Sequence, residues 1–176
     1  MDENALREYA IQSLGRRMRS EADLRRLMRA KVEPEETGAA KIDAAIAKLK
    51  EYGYLNDVVF ADYYTQLRQQ NEKFGARRVQ QELNRKGIAK QTISDTIEAK
   101  YSEINEESLA REHLERKRIR KPENEKETAR VMRRLVTAGF SVGVIYKILR
   151  QWDVPDESLF ALENLDMEPE SDGNDA

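Results

Sequence analysis

Apolar residues recur at helical spacing along most of this chain, and one helical pattern occurs three times. Leu24, Leu27 and Val32 sit in SEADLRRLMRAKV, Val79, Leu83 and Ile88 in GARRVQQELNRKGI, and Val131, Leu135 and Phe140 in ETARVMRRLVTAGF. Each copy is a short basic amphipathic helix that closes on an apolar residue five positions after its central Leu. Leu27, Leu83 and Leu135 lie 56 and 52 residues apart. A period near fifty predicts one supersecondary unit repeated in tandem. A unit of that size buries little surface alone, so neighbouring units are expected to share apolar contacts.

Each copy is flanked by a helix on either side. Residues 4–16 carry Leu6, Tyr9, Ala10 and Leu14 on one face. Ser20 is a suitable N-cap for the helix that follows, and Pro34 ends that helix. A third helix, from Glu35 or Thr37, carries Ile42, Ala45, Ile46 and Leu49 and stops at Tyr52-Gly53. Asn56 or Asp57 opens the second unit, whose first helix is lined by Phe60, Tyr63, Tyr64 and Leu67. Gly75 and Gly87 bracket the next helix, and Ile93, Ile97 and Tyr101 face inward from the sixth. The third unit opens near Glu106 with Leu109, Ala110, His113 and Leu114. Pro122 breaks the charge run after it, a helix follows over 124–137, and Ser141 caps the ninth helix, with Val144, Ile145, Ile148, Leu149 and Trp152 inward. Period-two alternation is scarce, so no strand is expected. The predicted architecture is all-α: an elongated tandem array of three three-helix repeats, over 1–55, 56–103 and 104–153, followed by an acidic, partly disordered tail over 154–176. Hinges are expected at Gly53–Asp57 and Tyr101–Glu107.

Composition sharpens this picture. Apolar residues make up 39% and charged residues 36%, which suits an array with much surface per residue. The net charge of −2 conceals an asymmetry. All 31 Lys and Arg lie in 1–152 against 24 acids, a balance of +7, whereas 153–176 hold nine acids and no base. The tail is either a solubiliser or a competitor for whatever the basic body binds. Cysteine is absent, which excludes disulfides and thiolate metal sites. The N-terminus has no apolar signal-like core, and no apolar run approaches the length of a membrane span. A soluble, cytoplasmic protein is expected.

Candidate chemistry is sparse. His113 is the single histidine, so no second His or Cys can complete a transition-metal site, and a lone histidine is more often an incidental helix-surface or core residue than a ligand. The eight glycines are scattered singly rather than gathered into a phosphate loop. Carboxylate pairs such as Glu106-Glu107 fall in helix first turns, where the macrodipole favours them. No catalytic residue, metal ligand or cofactor is assigned. Basic residues, in contrast, cluster at comparable places in each unit: Arg25-Arg26 in the first, Arg77-Arg78 with Arg85-Lys86 in the second, Arg133-Arg134 in the third. Arginines at such spacing are either a solvated face paired with glutamate or a stripe that reads phosphates or acidic protein. Only Glu82 stands among the central group.

The chain resembles the RecX family, the modulators of the RecA recombinase. Gly53-Tyr54-Leu55-Asn56-Asp57 followed by Phe60-Ala61 and Tyr64, then Gly75 with Arg78, Leu83 and Lys86-Gly87-Ile88, carry the resemblance most specifically. Ser20, Leu24, Leu27 and Lys31 match the family's first unit, and Gly139-Phe140 with Ile145 and Leu149 its last. The resemblance implies tandem three-helix repeats that lodge in the groove of a RecA–DNA filament. It also implies a monomer that restrains filament growth, ATP hydrolysis, strand exchange and co-protease function in DNA repair and the SOS response. On that reading Arg77, Arg78, Arg85 and Lys86 form the central contact with recombinase or single-stranded DNA, flanked by Arg25, Arg26, Arg133 and Arg134. The alternative is a free-standing helical nucleic-acid-binding protein that acts without recombinase.

Overall fold

The computed structural model describes residues 1–34 and 36–163, with backbone alone over 160–163; the acidic stretch 164–176 lies outside the described residues. All regular elements among the described residues are helices, with no strand among them. In order the helices are α1 (Glu3–Arg16), α2 (Glu21–Arg29), α3 (Glu36–Glu51), α4 (Asp57–Leu67), α5 (Ala76–Arg85), α6 (Lys90–Tyr101), α7 (Glu106–Arg116), α8 (Glu125–Thr137), α9 (Val142–Gln151) and α10 (Asp156–Glu163). The first nine fall in threes, as the repeat predicts. The sequence pattern gave no sign of a π-helical turn, Arg68–Glu72, which prolongs α4 and ends at Lys73 in the left-handed region.

Helix starts follow side-chain capping. Asp2, Ser20, Asn105 and Asn124 each accept an amide N–H three residues on, satisfying one of the orphan donors of the first turn. Asn56 receives the N–H groups of Val58 and Val59 at 2.9 and 3.1 Å. Ser141 departs from expectation. Its backbone is extended, but its hydroxyl makes no cap. Its N–H and Oγ–H instead both donate to the Glu106 carboxylate, at 2.6 and 2.8 Å.

Helix ends explain the five-residue step. Ile88 donates its N–H to the Leu83 carbonyl at 3.1 Å and Phe140 to Leu135 at 3.2 Å. These are the long bonds of a Schellman cap, which joins residues five apart and brings their side chains into contact. The left-handed residue that the cap needs is Gly87 in one case and Gly139 in the other. The first copy is different. The α2 helix ends without a left-handed glycine, Lys31 donates to Met28 at 2.9 Å, and Val32 is only half-buried.

The chain forms two compact units, interleaved in sequence. One comprises 1–66 with 80–102, the other 67–79 with 103 onward. In the first unit α1 packs on α3 and α2 around Leu6, Ala10, Leu24, Met28, Ile42, Ala45, Ile46, Leu49 and Leu55. Leu27 is only half-buried, because Met28 takes the inward position. Polar ties bind the first repeat to the second within this unit. Ser20 Oγ donates to the Lys86 carbonyl at 2.7 Å, and the Glu21 N–H donates to Asp57 Oδ1 at 2.8 Å. The segment Gly53–Asp57 is thus anchored inside one unit, whereas Tyr101–Glu107 contains a passage from one unit to the other.

In the second unit α7 and α8 both pack on α9. Leu109, Leu114, Val131, Leu135, Phe140, Ile145, Ile148 and Leu149 are buried. Trp152, expected inside, is half-buried, while Leu159 of α10 is buried. His113 is buried between the rings of Phe74 and Phe140, each centroid 5.8 Å away, and Nδ1–H donates to the Glu72 carbonyl at 2.9 Å. Burial holds its pKa below the ordinary value, against the pull of that carbonyl. It is a core histidine.

Candidate functional site

The structure sorts the predicted cations into two groups and gives them different partners. Arg25, Arg26, Arg85 and Lys86 belong to the first unit, and Arg77, Arg78, Arg133 and Arg134 to the second.

In the first unit the cations are held by acids. Arg25 Nε donates to Glu21 at 2.8 Å and its Nη1 to Asp43 at 2.5 Å. Asp23 bridges two candidates, accepting from Arg26 at 3.1 Å and from Lys86 Nζ at 2.9 Å. Glu21 also pairs with Lys50. Burial alone would raise the Glu21 pKa, but Lys50 and Arg25 outweigh it and hold the carboxyl below its usual range. Burial does prevail at Asp57, whose pKa is raised despite the N–H it accepts from Glu21. Arg25 and Lys86 are therefore built into the junction between α2, α3 and the end of α5. Arg85, beside them in sequence, is exposed and has no ion-pair partner among the described residues.

In the second unit Arg77 is exposed on the first turn of α5, and Arg133 and Arg134 are exposed on α8. None of the three has an acidic partner among the described residues. Arg78 differs. Its guanidinium lies over the Phe74 ring, 5.4 Å from the centroid, and its backbone lies against Gly139. This is a cation–π contact that also shapes the fold. The two exposed cations of α5, Arg77 and Arg85, are eight residues apart and lie on its outer side, while Val79 and Leu83 are fully buried on the inner side.

Three further acids, Glu82, Glu106 and Glu107, are committed to structure. Glu82 is buried and accepts from the Tyr64 hydroxyl at 2.8 Å; Tyr64 also stacks on Phe60 with centroids 5.6 Å apart. Tyr63, its neighbour, is exposed, so the pair divides between core and surface. Glu106 holds Ser141. Glu107 accepts from Lys147, Gln151 and Arg111, which together hold its pKa at about 2. The Glu106-Glu107 pair thus fastens α7 to α9. Among the described residues no group of three or more His, Asp or Glu is placed to hold a metal ion, and no helix is long and apolar enough to cross a membrane. Sequence reasoning missed Asp23, the acid that binds two of the candidate cations. Its Lys86 partner is 63 residues away, beyond any helical spacing rule.

Helices in tandem threes, with Schellman caps closing α5 and α8, define a protein of the all-helical repeat class. Comparison with known proteins makes the assignment specific. Residues 56–97 match the family model described as RecX, second three-helix domain. Regulatory protein RecX of Leptothrix cholodnii is 31% identical over 149 residues, covering 85% of this chain and 90% of that protein. RecX of Caldanaerobacter subterraneus is 29% identical over 143 residues, 81% of this chain and 68% of its own. RecX of Listeria welshimeri is 30% identical over 164 residues, and the chain spans only about half, 56%, of that longer protein. The crystal structure of RecX from Lactobacillus salivarius superposes with a TM-score of 0.65 at 20% identity, over 86% of this chain and 97% of that one. A second regulatory protein RecX crystal structure gives a TM-score of 0.64 at 23% identity, over 85% of this chain and 71% of that one. The chain belongs to the RecX family of regulatory proteins.

Proposed function

We propose that this protein binds the RecA–DNA nucleoprotein filament as a monomer in the cytoplasm and restrains the recombinase without catalysis or a cofactor. Filament extension, ATP hydrolysis, strand exchange and co-protease function are the activities it would limit. Family membership over nearly the whole of the Leptothrix relative supports the reading. The observation that carries it at the level of residues is the set of exposed arginines that have no acidic partner among the described residues, Arg77 and Arg85 on α5 and Arg133 and Arg134 on α8. Arg78 and Lys86 complete the central contact, and Arg25 and Arg26 flank it.

The repeats 1–55, 56–103 and 104–153 each supply a modest charged contact. A filament presents the same acidic or phosphate surface at every protomer, so linked contacts sum to strong binding even where each is weak. Bridging neighbouring protomers resists the movements of turnover and blocks addition at a growing end.

Arg77 and Arg85 are the right pair to reverse, since Arg78 and Lys86 also support the fold. Arg77→Glu with Arg85→Glu is expected to abolish inhibition of DNA-dependent recombinase ATPase while leaving the helical circular dichroism intact. Full inhibition by that folded double variant would overturn the assignment.

A further inference from the structure

We propose that the acidic stretch 164–176 docks, as an extended segment of its own chain, along two grooves that flank the α7–α8 connection. One groove, of about 530 Å³, lies between that connection and the start of α10, with the half-buried Trp152 and the buried Pro122 and Val154 on its walls. The other, of about 360 Å³, lies between the connection and one side of α8. The two share Lys121, Pro122 and Glu123 and so form one track.

The second groove is basic, and its charge is not used within the fold. Arg118 and Arg120 line it from the connection, and Arg130 and Arg134 from α8. All four are exposed, and among the described residues none has an acidic partner. Two glutamates also line the groove, but Glu127 is occupied in accepting the Glu123 N–H at 2.9 Å. Lys121 is paired with Asp153 at 3.1 Å. Arg118 moreover holds the left-handed position, φ 53°, that closes α7, a place taken by glycine at the ends of α3, α5 and α8. Glycine would form that cap with less strain. Arginine puts a guanidinium in the groove instead.

The stretch 164–176 has the matching pattern. It carries Asp166, Glu168, Glu170, Asp172 and Asp175 and no base. The first four alternate with Leu165, Met167, Pro169 and Ser171. In an extended segment alternate residues share a face. The acids then line one side at intervals of about 6.4–6.8 Å, and Leu165 and Met167 lie on the other. Arg130 and Arg134, one turn apart on α8, have their Cβ atoms about 5–6 Å from each other, a difference that long side chains absorb. Leu165 and Met167 come first and meet the apolar walls beside Trp152, while the acids beyond them meet the arginines.

Connectivity favours this occupant over a separate acidic protein. Helix α10 is fastened to the second unit by the buried Leu159 and by the pairing of Arg150 with Asp156 at 2.8 Å. It is eight residues long, so its end lies about 12 Å from its start. The thirteen residues of 164–176 reach up to about 43–47 Å when extended. Tethered so closely, they face the track at an effective concentration on the order of millimolar, and contacts too weak to recruit a free peptide still hold them. Arg134 also belongs to the proposed filament contact. A docked stretch withholds it, a consequence that rests on that reading, whereas the docking does not.

The full chain carrying Ser171→Cys, its only cysteine, takes a nitroxide spin label without loss of an acid. The amide NMR signals of 118–123 and 130–134 are expected to lose most of their intensity at 0.1 M salt and to recover it at 1 M, as the Debye length falls from about 10 Å to about 3 Å. Asp166→Asn, Glu168→Gln, Glu170→Gln and Asp172→Asn together touch no described contact and are expected to reduce the broadening several-fold. Arg118→Gln with Arg120→Gln and Arg130→Gln, all exposed, is expected to do the same from the groove side. Full signals at low salt, broadening that either set leaves unchanged, or equal broadening around Arg25 and Arg26 of the first unit would overturn the proposal. Equal broadening of a separate, unlabelled chain mixed with spin-labelled chain would place the stretch on a second copy and overturn it too. Neither recombinase nor nucleic acid enters the measurement, so its outcome is independent of the test made with Arg77→Glu and Arg85→Glu.

Discussion

Replacing Gly139 by alanine tests the account of the helix ends most directly. Gly139 has φ 92°, and a Cβ there would run into the backbone of Arg78 at the start of α5. The left-handed conformation costs an L-residue about 1–2 kcal/mol. Overlap with backbone, which cannot swing aside as a side chain does, adds about 1–3 kcal/mol. Alanine also lowers the entropy of the unfolded chain, which returns about 0.4–1 kcal/mol. The net loss is about 2–4 kcal/mol. Gly53 is the control. It has φ 73°, but a Cβ there meets nothing within 4 Å, so only the dihedral cost remains and the net loss is about 1 kcal/mol or less. Gly15, inside α1 and with open space around it, is the opposite control, and alanine there stabilises by about 0.5–1 kcal/mol. Urea unfolding followed by circular dichroism reads all three. With a slope of about 2 kcal/mol per molar, Gly139→Ala lowers the midpoint by roughly 1–2 M. Equal midpoints for Gly139→Ala and Gly53→Ala would refute the claim that close backbone approach fixes glycine at 139.

Tyr64→Phe removes the hydroxyl that donates to the buried Glu82 carboxylate and is expected to cost about 1–3 kcal/mol; a loss below that range would show that Glu82 is satisfied without it. His113 gives a clean pH signature, because it is the chain's only histidine. Its folded pKa is depressed, so the unfolded chain takes up the proton first, and stability falls as pH drops from about 6.5 toward the folded value. Urea midpoints that stay flat between pH 7.5 and 5.5 would contradict this. Removing 164–176, which carry five acids, is expected to strengthen low-salt binding to an anionic partner, and unchanged affinity would mark the tail as a solubiliser. The cut belongs after Glu163 rather than after Asp153, since Val154 and Leu159 are buried.

Much of the fold was legible because its punctuation is local. Prolines, glycines and capping Ser or Asn act over four or five residues, and the recurrent five-residue step between apolar positions is itself a hydrogen-bonding distance along the chain. The π-helical turn escaped because RQQNE carries no apolar period to betray an extra residue in the turn. The candidate site was half legible. Exposed arginines follow from helical phase, so Arg77, Arg85, Arg133 and Arg134 could be placed outward. Which arginines are paired could not, because Arg25 meets Asp43 across 18 residues and Lys86 meets Asp23 across 63. Ser141 was misjudged for the same reason: a carboxylate 35 residues away claims its hydroxyl.

The interleaving of the two units governs how the molecule can be taken apart. Residues 67–79 sit in sequence within the first unit yet group with the second, where Val79 is buried and the half-buried Phe74 lies against His113. A fragment ending at Ser102 would carry that stretch stripped of its partners, and one beginning at Glu103 would leave His113 and Phe140 uncovered. Neither half is a free-standing module, so damage near Gly75 should propagate in both directions along the polypeptide, and dissection by domain will mislead where single substitutions will not.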